Sequence, residues 1–239
     1  MDKQEFDVEV LLPVHNEANI IEKVIREIYT EFSPRIKCQF IICEDGSSDN
    51  SQEVITQLSH EIPMKLIFST ERKGYSKAVK DGMLTTTAPY LLCLDSDGQC
   101  DPADFWKFWD SRQDYDVILG WRKPRRDASW RLFFSHMFFL VYQLFFHVPF
   151  HDPSCPFMLA KKDSAYKIGA KMGAMQQGFW WEFVARVKLA NLRTKEVEIN
   201  HRDRMGGKTQ VYKLSKVPGI GIKHFLALFT ILKDGRRND

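Results

Sequence analysis

No uninterrupted apolar run in this chain is long enough to cross a bilayer, so a membrane-spanning helix is not its organising element. Cysteine is sparse and odd in number, at positions 38, 43, 93, 100 and 155, with no two pairs at zinc-ligand spacing. That pattern excludes a zinc module and a disulfide framework, and the thiols read as buried groups of a reducing compartment. The net charge of +3 over 239 residues is too small to argue for a nucleic-acid partner. The opening MDKQEFDVEV lacks the charged-then-apolar pattern of a signal peptide, so a cytoplasmic location is expected. Internal repeats and low-complexity linkers are missing too, as is the G-x-G-T-R-type loop that a nucleotidyltransferase would carry after its first strand.

What is present is an alternation. With 44% hydrophobic residues the chain can bury a substantial core. Short apolar runs (VEVLLPV, QFIICE, MKLIFST, YLLCL) take turns with amphipathic stretches (NEANIIEKVIREIYTEF, SSDNSQEVITQLSHEI, GYSKAVKDGMLTT). Such turn-taking predicts βαβ units, hence an α/β fold with a mostly parallel sheet covered on both faces. Past Pro102 the pattern predicts a short helix, a strand over YDVILGW and a long apolar helix from Ala128 to Phe146. A strand and helix over FMLAKKDSAYKIGAKM, a helix over GFWWEFVARVKLANL and a strand over KEVEINHRDR follow.

The polar clusters fall where the strands end: HNE after the first, EDGSSDN after the second, ERKG after the third and DSDGQ after the fourth. Ligands of parallel sheets bind at that edge, so loops sharing it make one site. Asp95 and Asp97 alternate after a buried strand, and Gly98 lets the chain turn so that both can face one cation. A pair of solvated loop acids would also read D-x-D; the strand before and Gln99 after it favour a metal. Hard oxygens of this kind suit Mg²⁺ or Mn²⁺, which keep waters and take substrate phosphates as further ligands. The stretch 121–131 is basic, with Asp127 its sole acid, and predicts an anion-binding or membrane-surface patch, or else a solvated loop. Residues 132–150 and the segment from Val217 combine aromatic and aliphatic mass with flanking cations. Either a membrane interface or packing on the sheet or a partner chain satisfies such helices.

Taken in order, LLPVHNEANI, ICEDGSSDNS, LDSDGQCDP, DPSCPF and NHRDRMGGKT resemble the family 2 glycosyltransferases of the GT-A fold. Within them they are most similar to the dolichol-phosphate mannose synthase and polyprenyl-phosphate glycosyltransferase branch. The resemblance runs over about residues 7–215 and implies a Rossmann-like catalytic domain at 1–215. Residues 216–239 are then an amphipathic, interfacial, membrane-associating segment. It implies that Pro13, His15, Glu17, Asp45, Asp95, Ser96 and Asp97 bind a GDP- or UDP-linked sugar, Asp45 at the base or ribose. Asp95, Asp97 and Gln99 would hold the metal. Two positions depart from the family pattern: Glu44 opens the EDGS motif where aspartate is familiar, and Pro156 stands where glycine is common.

The second half speaks to the acceptor. The acidic motif and Q-x-x-R-W sequence that often accompany hydroxyl acceptors are absent, whereas Arg122, Arg131, Arg204 and Lys208 supply cations. Arg204, Gly207 and Thr209 match an R-x-x-G-x-[S/T] motif, and the resemblance associates such arginines with a lipid acceptor phosphate. The implied enzyme is an inverting hexosyltransferase, peripheral on a membrane, with Asp95, Asp97, Arg122, Arg131 and Arg204 as its catalytic set. Its acceptor would be dolichyl or undecaprenyl phosphate, and a second copy or a membrane-anchor subunit could cover its aromatic surface. A hydroxyl acceptor, and a non-catalytic sugar-nucleotide-binding subunit, are the competing readings. Asp152 is expected to orient an arginine, and Glu182 to pair with Arg186 or face the sugar.

Overall fold

A computed structural model describes residues 5–124, 129–206 and 217–236. The first strand, β1 (Val8–Val14), is buried along its whole length, as expected of a central strand with both faces covered. It is followed by α1 (Ile21–Phe32), β2 (Cys38–Asp45), α2 (Ser51–Leu58), β3 (Met64–Ser69), α3 (Tyr75–Leu84) and β4 (Tyr90–Cys93). After a 3-10 turn at Pro102–Asp104 come α4 (Phe105–Trp109), β5 (Val117–Arg122), α5 (Ser129–Phe146), β6 (Met158–Lys161) and α6 (Lys162–Lys171). The chain closes with α7 (Phe179–Leu189), β7 (Thr194–Ile199) and α8 (Val217–Arg236).

The seven strands form one sheet in the order β3-β2-β1-β4-β6-β5-β7. Pairings among β1 to β4 are parallel, β5 pairs parallel with β7, and β6 runs antiparallel to both β4 and β5. Side chains alternate across the sheet, so Val8, Val10, Leu12 and Val14 pack on one face with Ile21, Val24, Ile25, Ile28 and Phe32 of α1. The spacing of those five residues places them on one stripe of the helix. On the other face Leu11, Ile41 and Cys43 meet α3 and the helices of the second half. All five cysteines are buried free thiols.

Each of the two aromatic helices packs some of its apolar side chains into the protein and leaves others exposed. In α8, Ala227, Leu228 and Ile231 are buried, and in α5 Tyr142 and Phe146 are buried. Full burial of Leu228 and Ile231 contributes roughly 3–6 kcal/mol, enough to hold α8 against the domain. The opposite faces are open: Phe133, Phe134, Met137, Leu140 and Leu144 of α5, and Ile222, Phe225, Leu226 and Phe229 of α8, are exposed. Phe145 contacts both Phe225 and Phe229, at 5.9 and 5.1 Å between ring centroids, and so links the two helices. Among the described residues no helix is long and apolar enough to cross a membrane. The expected boundary at residue 215 falls outside the described residues.

Candidate active site

At the carboxyl end of β1 the chain turns through Asn16, at φ 57, before α1 begins. Asn16 is not a helix cap, because α1 starts at Ile21 and its N-cap, Ile20, makes no side-chain capping bond. Instead Asn16 joins two loops: its backbone N–H donates to Ser47 Oγ at 2.9 Å, and its Oδ1 accepts from Ser48 N–H at 2.8 Å. Glu17 N–H donates to Ser51 Oγ (2.9 Å) and Ala18 N–H to Asp49 Oδ2 (3.2 Å), while His15 Nδ1 lies 2.9 Å from the Asp45 carbonyl oxygen. The HNE and EDGSSDN clusters therefore form one surface.

The next loop is tied in by Asp45, whose carboxylate accepts from Lys73 N–H at 2.7 Å and Gly74 N–H at 2.9 Å. Gly46 makes this close approach possible. Its φ is +63°, and a Cβ there would lie 2.6 Å from Arg72 N and from the Glu71 carbonyl carbon. Glu44, the departure from the aspartate pattern, is fully buried; it accepts from Ser47 N–H at 2.5 Å and from Gln52 Nε2 at 2.6 Å. The longer acid thus serves its own loop.

Asp95, Ser96 and Asp97 follow β4 after Leu94, and Ser96 is buried. Asp95 Oδ1 accepts from the Tyr75 hydroxyl at 2.8 Å, and Trp180 Nε1 donates to that hydroxyl at 2.7 Å. Burial, and next the neighbouring Asp97 charge, raise the Asp95 pKa to about 7. Asp97 Oδ1 accepts from Gln99 N–H at 3.0 Å, and its Oδ2 lies 3.4 Å from Arg204 Nη1. Arg204 is a hub, since Nη2 also pairs with Glu17 and Nε donates to the Gly206 carbonyl at 2.7 Å. Burial raises the Glu17 pKa against the opposing pull of Arg204, and Glu17 Oε2 is buried without a hydrogen-bond partner. A nucleotide N–H or a ribose hydroxyl would satisfy it.

The return strand brings these cations to the acids. Arg202 N–H donates to the Gln99 carbonyl at 2.8 Å, Met205 N–H to the Asp97 carbonyl at 3.2 Å, and Gln99 Nε2 to the Arg202 carbonyl at 3.3 Å. Arg122, at the end of β5, forms a bidentate pair with Asp152 at 2.7 and 2.9 Å and donates to Ser154 Oγ at 2.7 Å. Asp152 thus orients an arginine. Glu182 accepts from the backbone N–H groups of Gly173, Ala174 and Met175 and pairs with Arg186 at 2.8 Å. It is committed to structure. The Arg131 side chain and all of Lys208 lie outside the described residues, as do Gly207 and Thr209.

The donor set fits a small hard cation. The Asp97 charge lies close enough to raise the Asp95 pKa, and a cation shared by the two carboxylates would offset that effect. Among the described residues no group of three His, Cys, Asp or Glu side chains gathers around a cation site. The remaining ligands would have to be diphosphate oxygens and water, as is usual for Mg²⁺. Tyr75 and Trp180 were not legible as site residues: the one follows ERKG and the other lies in an apolar helix. Only the hydrogen bonds from Trp180 to Tyr75 and from Tyr75 to Asp95 mark them.

The sheet, six strands in one sense with β6 opposed, has the GT-A fold. Residues 9–169, more than half of the chain, match the Glycosyl transferase family 2 family, and the chain belongs to it. It is 30% identical over 116 residues to the dolichol-phosphate mannosyltransferase of Saccharomyces cerevisiae, a match spanning 47% of this chain and 43% of that protein. Over 227 residues it is 22% identical to the dolichyl-phosphate beta-glucosyltransferase of Dictyostelium discoideum, covering 86% of this chain and 69% of the relative. Among solved structures, glucosyl-3-phosphoglycerate synthase from Mycobacterium tuberculosis, in complex with Mn²⁺, UDP and glucosyl-3-phosphoglycerate, superimposes with a TM-score of 0.66. The identity is 13%, and the match covers 95% of this chain and 80% of that one.

Proposed function

We propose that this enzyme transfers a hexose from a nucleotide-diphosphate sugar to a polyprenyl phosphate, with inversion, at a membrane surface. The observation that carries the reading is the junction of Asp97, Glu17 and Arg204, which joins the metal-type acidic loop, the nucleotide-side loop and the R-x-x-G-x-T segment. Glu17, His15 and Asp45 line the nucleotide side, together with Pro13 near the end of β1. A divalent cation held by Asp95 and Asp97, with Gln99 beside them, would neutralise the donor diphosphate and stabilise it as a leaving group. Relatives named for dolichol phosphate support the lipid acceptor, and the Mn²⁺ and UDP of the structural neighbour support the donor and metal.

The acceptor chemistry suits the charges present. A phosphomonoester is already anionic near neutral pH, so its oxygen attacks the sugar C1 without surrendering a proton to a base. As the new O–C1 bond forms, the bond from C1 to the nucleotide diphosphate breaks on the opposite side, and the anomeric centre inverts. Both Asp152 and Glu182 are spent in ion pairs, which supports an acceptor that needs no general base. Arg122 and Arg204 enter the reaction oriented by acids, and positioning and electrostatics supply most of the rate. The exposed apolar faces of α5 and α8 support attachment to the membrane that holds the acceptor.

A donor screen tests this with purified protein, Mg²⁺ or Mn²⁺ and a short polyprenyl phosphate in detergent, scoring labelled sugar in the organic phase. Lipid-phase product from one donor, lost in Asp97→Ala and Arg131→Ala, is expected. Donor turnover without lipid product for any donor would reject the phosphate acceptor.

A further inference from the structure

We infer that Tyr75 is a positioning residue for Asp95, and that Trp180 in turn fixes Tyr75, so that a relay from α7 through α3 sets the orientation of the cation-binding carboxylate. The inference rests on the metal-dependent donor site proposed above and adds to it residues outside the polar loops.

The direction of the relay is unambiguous. An indole N–H can only donate, so the Tyr75 oxygen accepts from Trp180 Nε1 at 2.7 Å. The single phenolic hydrogen is then left for Asp95 Oδ1, 2.8 Å away. Neither partner can turn the hydroxyl elsewhere without losing a hydrogen bond. Both ends of the relay are anchored. Tyr75 opens α3 directly after Gly74, whose N–H is held by Asp45, and the next residue, Ser76, donates its hydroxyl to the Gln176 carbonyl at 2.8 Å. Trp180 is 7% exposed and packs against Phe179 and Phe183, and Phe179 also meets the Tyr75 ring edge-on at 6.4 Å. Glu182, one helical position beyond Trp181, caps the 173–175 backbone and keeps the start of α7 in place.

Two adjacent carboxylates without such a clamp would relieve their repulsion by swinging apart. The Tyr75 hydroxyl opposes that motion by holding one oxygen of Asp95, leaving Oδ2 for a cation. A carboxylate that offers a single oxygen suits the compact octahedral shell of Mg²⁺ or Mn²⁺. Partners that orient a ligand in this way typically influence metal affinity by about 10- to 100-fold.

The experiment measures Mn²⁺ binding by the loss of the free-ion electron paramagnetic resonance signal, in the presence of UDP or GDP, for the wild type, Tyr75→Phe and Trp180→Phe. Metal-free nucleotide affinity is measured in parallel in EDTA. Tyr75→Phe is expected to weaken Mn²⁺ binding about 10-fold, and Trp180→Phe to weaken it in the same direction, with metal-free nucleotide affinity unchanged in both. Mn²⁺ affinity within twofold of wild type in both variants would overturn the relay while leaving the donor site standing. So would a parallel loss of Mn²⁺ and metal-free nucleotide binding, which a general disturbance of the fold produces. Failure of the wild type itself to bind Mn²⁺ with either nucleotide would overturn the donor-site reading and the relay with it.

Discussion

Arg204 holds Asp97, Glu17 and the Gly206 carbonyl at once, a task its planar fork performs and a lysine ammonium cannot. Arg204→Lys should therefore lower kcat/KM for lipid-linked product by at least about tenfold, since one misplaced charge-assisted hydrogen bond is worth roughly 1.5–3 kcal/mol; steady-state kinetics with saturating donor would show it. Gly46 is a different kind of residue. It touches no substrate in the proposed site, yet its left-handed backbone and the 2.6 Å approach of the 71–72 backbone leave no room for a methyl group. Gly46→Ala should cost about 1–3 kcal/mol of stability in a urea titration. A loss below about 0.5 kcal/mol would mean that the two loops can separate freely.

At the scale of elements, α8 is joined to the domain by His224 as well as by its apolar stripe. The imidazole packs against Phe138 of α5, 5.4 Å between centroids, beside Gly178 at the start of α7. Burial pushes its pKa below 6.5, and Nε2 has no hydrogen-bond partner. The folded state therefore binds fewer protons than the unfolded chain between the two pKa values, and stability is lost as pH falls below about 6.5. His224→Gln should flatten the part of the Tm profile that declines between about pH 6.5 and the lower folded pKa. An unchanged slope in calorimetry would show that protonation of His224 carries no cost.

For the molecule as a whole, α5 and α8 each bury some apolar side chains in the core and expose others, and the proposed function assigns the exposed ones to membrane docking. Leu144, 76% exposed, and Leu226, 60% exposed, contribute little to the core. Replacing both by glutamate should leave Tm within about 2 °C, as surface substitutions generally do, and should reduce sedimentation with anionic lipid vesicles several-fold. Equal vesicle binding by the wild type and the double variant would move the docking surface elsewhere, and failure of both to bind would remove the membrane from the proposal.

Most of the architecture was legible before any coordinates. The 3.6-residue stripe of α1, the short apolar runs of β1 to β4 and the polar clusters at their ends follow from local periodicity, which the chain carries within a few residues. That logic also reached Asp95 and Asp97, because a strand end and a glycine are local features. It could not order β6 between β4 and β5, because a four-residue apolar run carries no sign of strand direction. Nor could it place Arg204 on Asp97, or Trp180 on Tyr75, across separations of 107 and 105 residues. The sequence by itself determined which elements form and which loops carry acids, through side-chain periodicity and backbone preference. Only the tertiary structure decided which acid meets which cation, because those distances are set by the packing of the whole sheet and its helices.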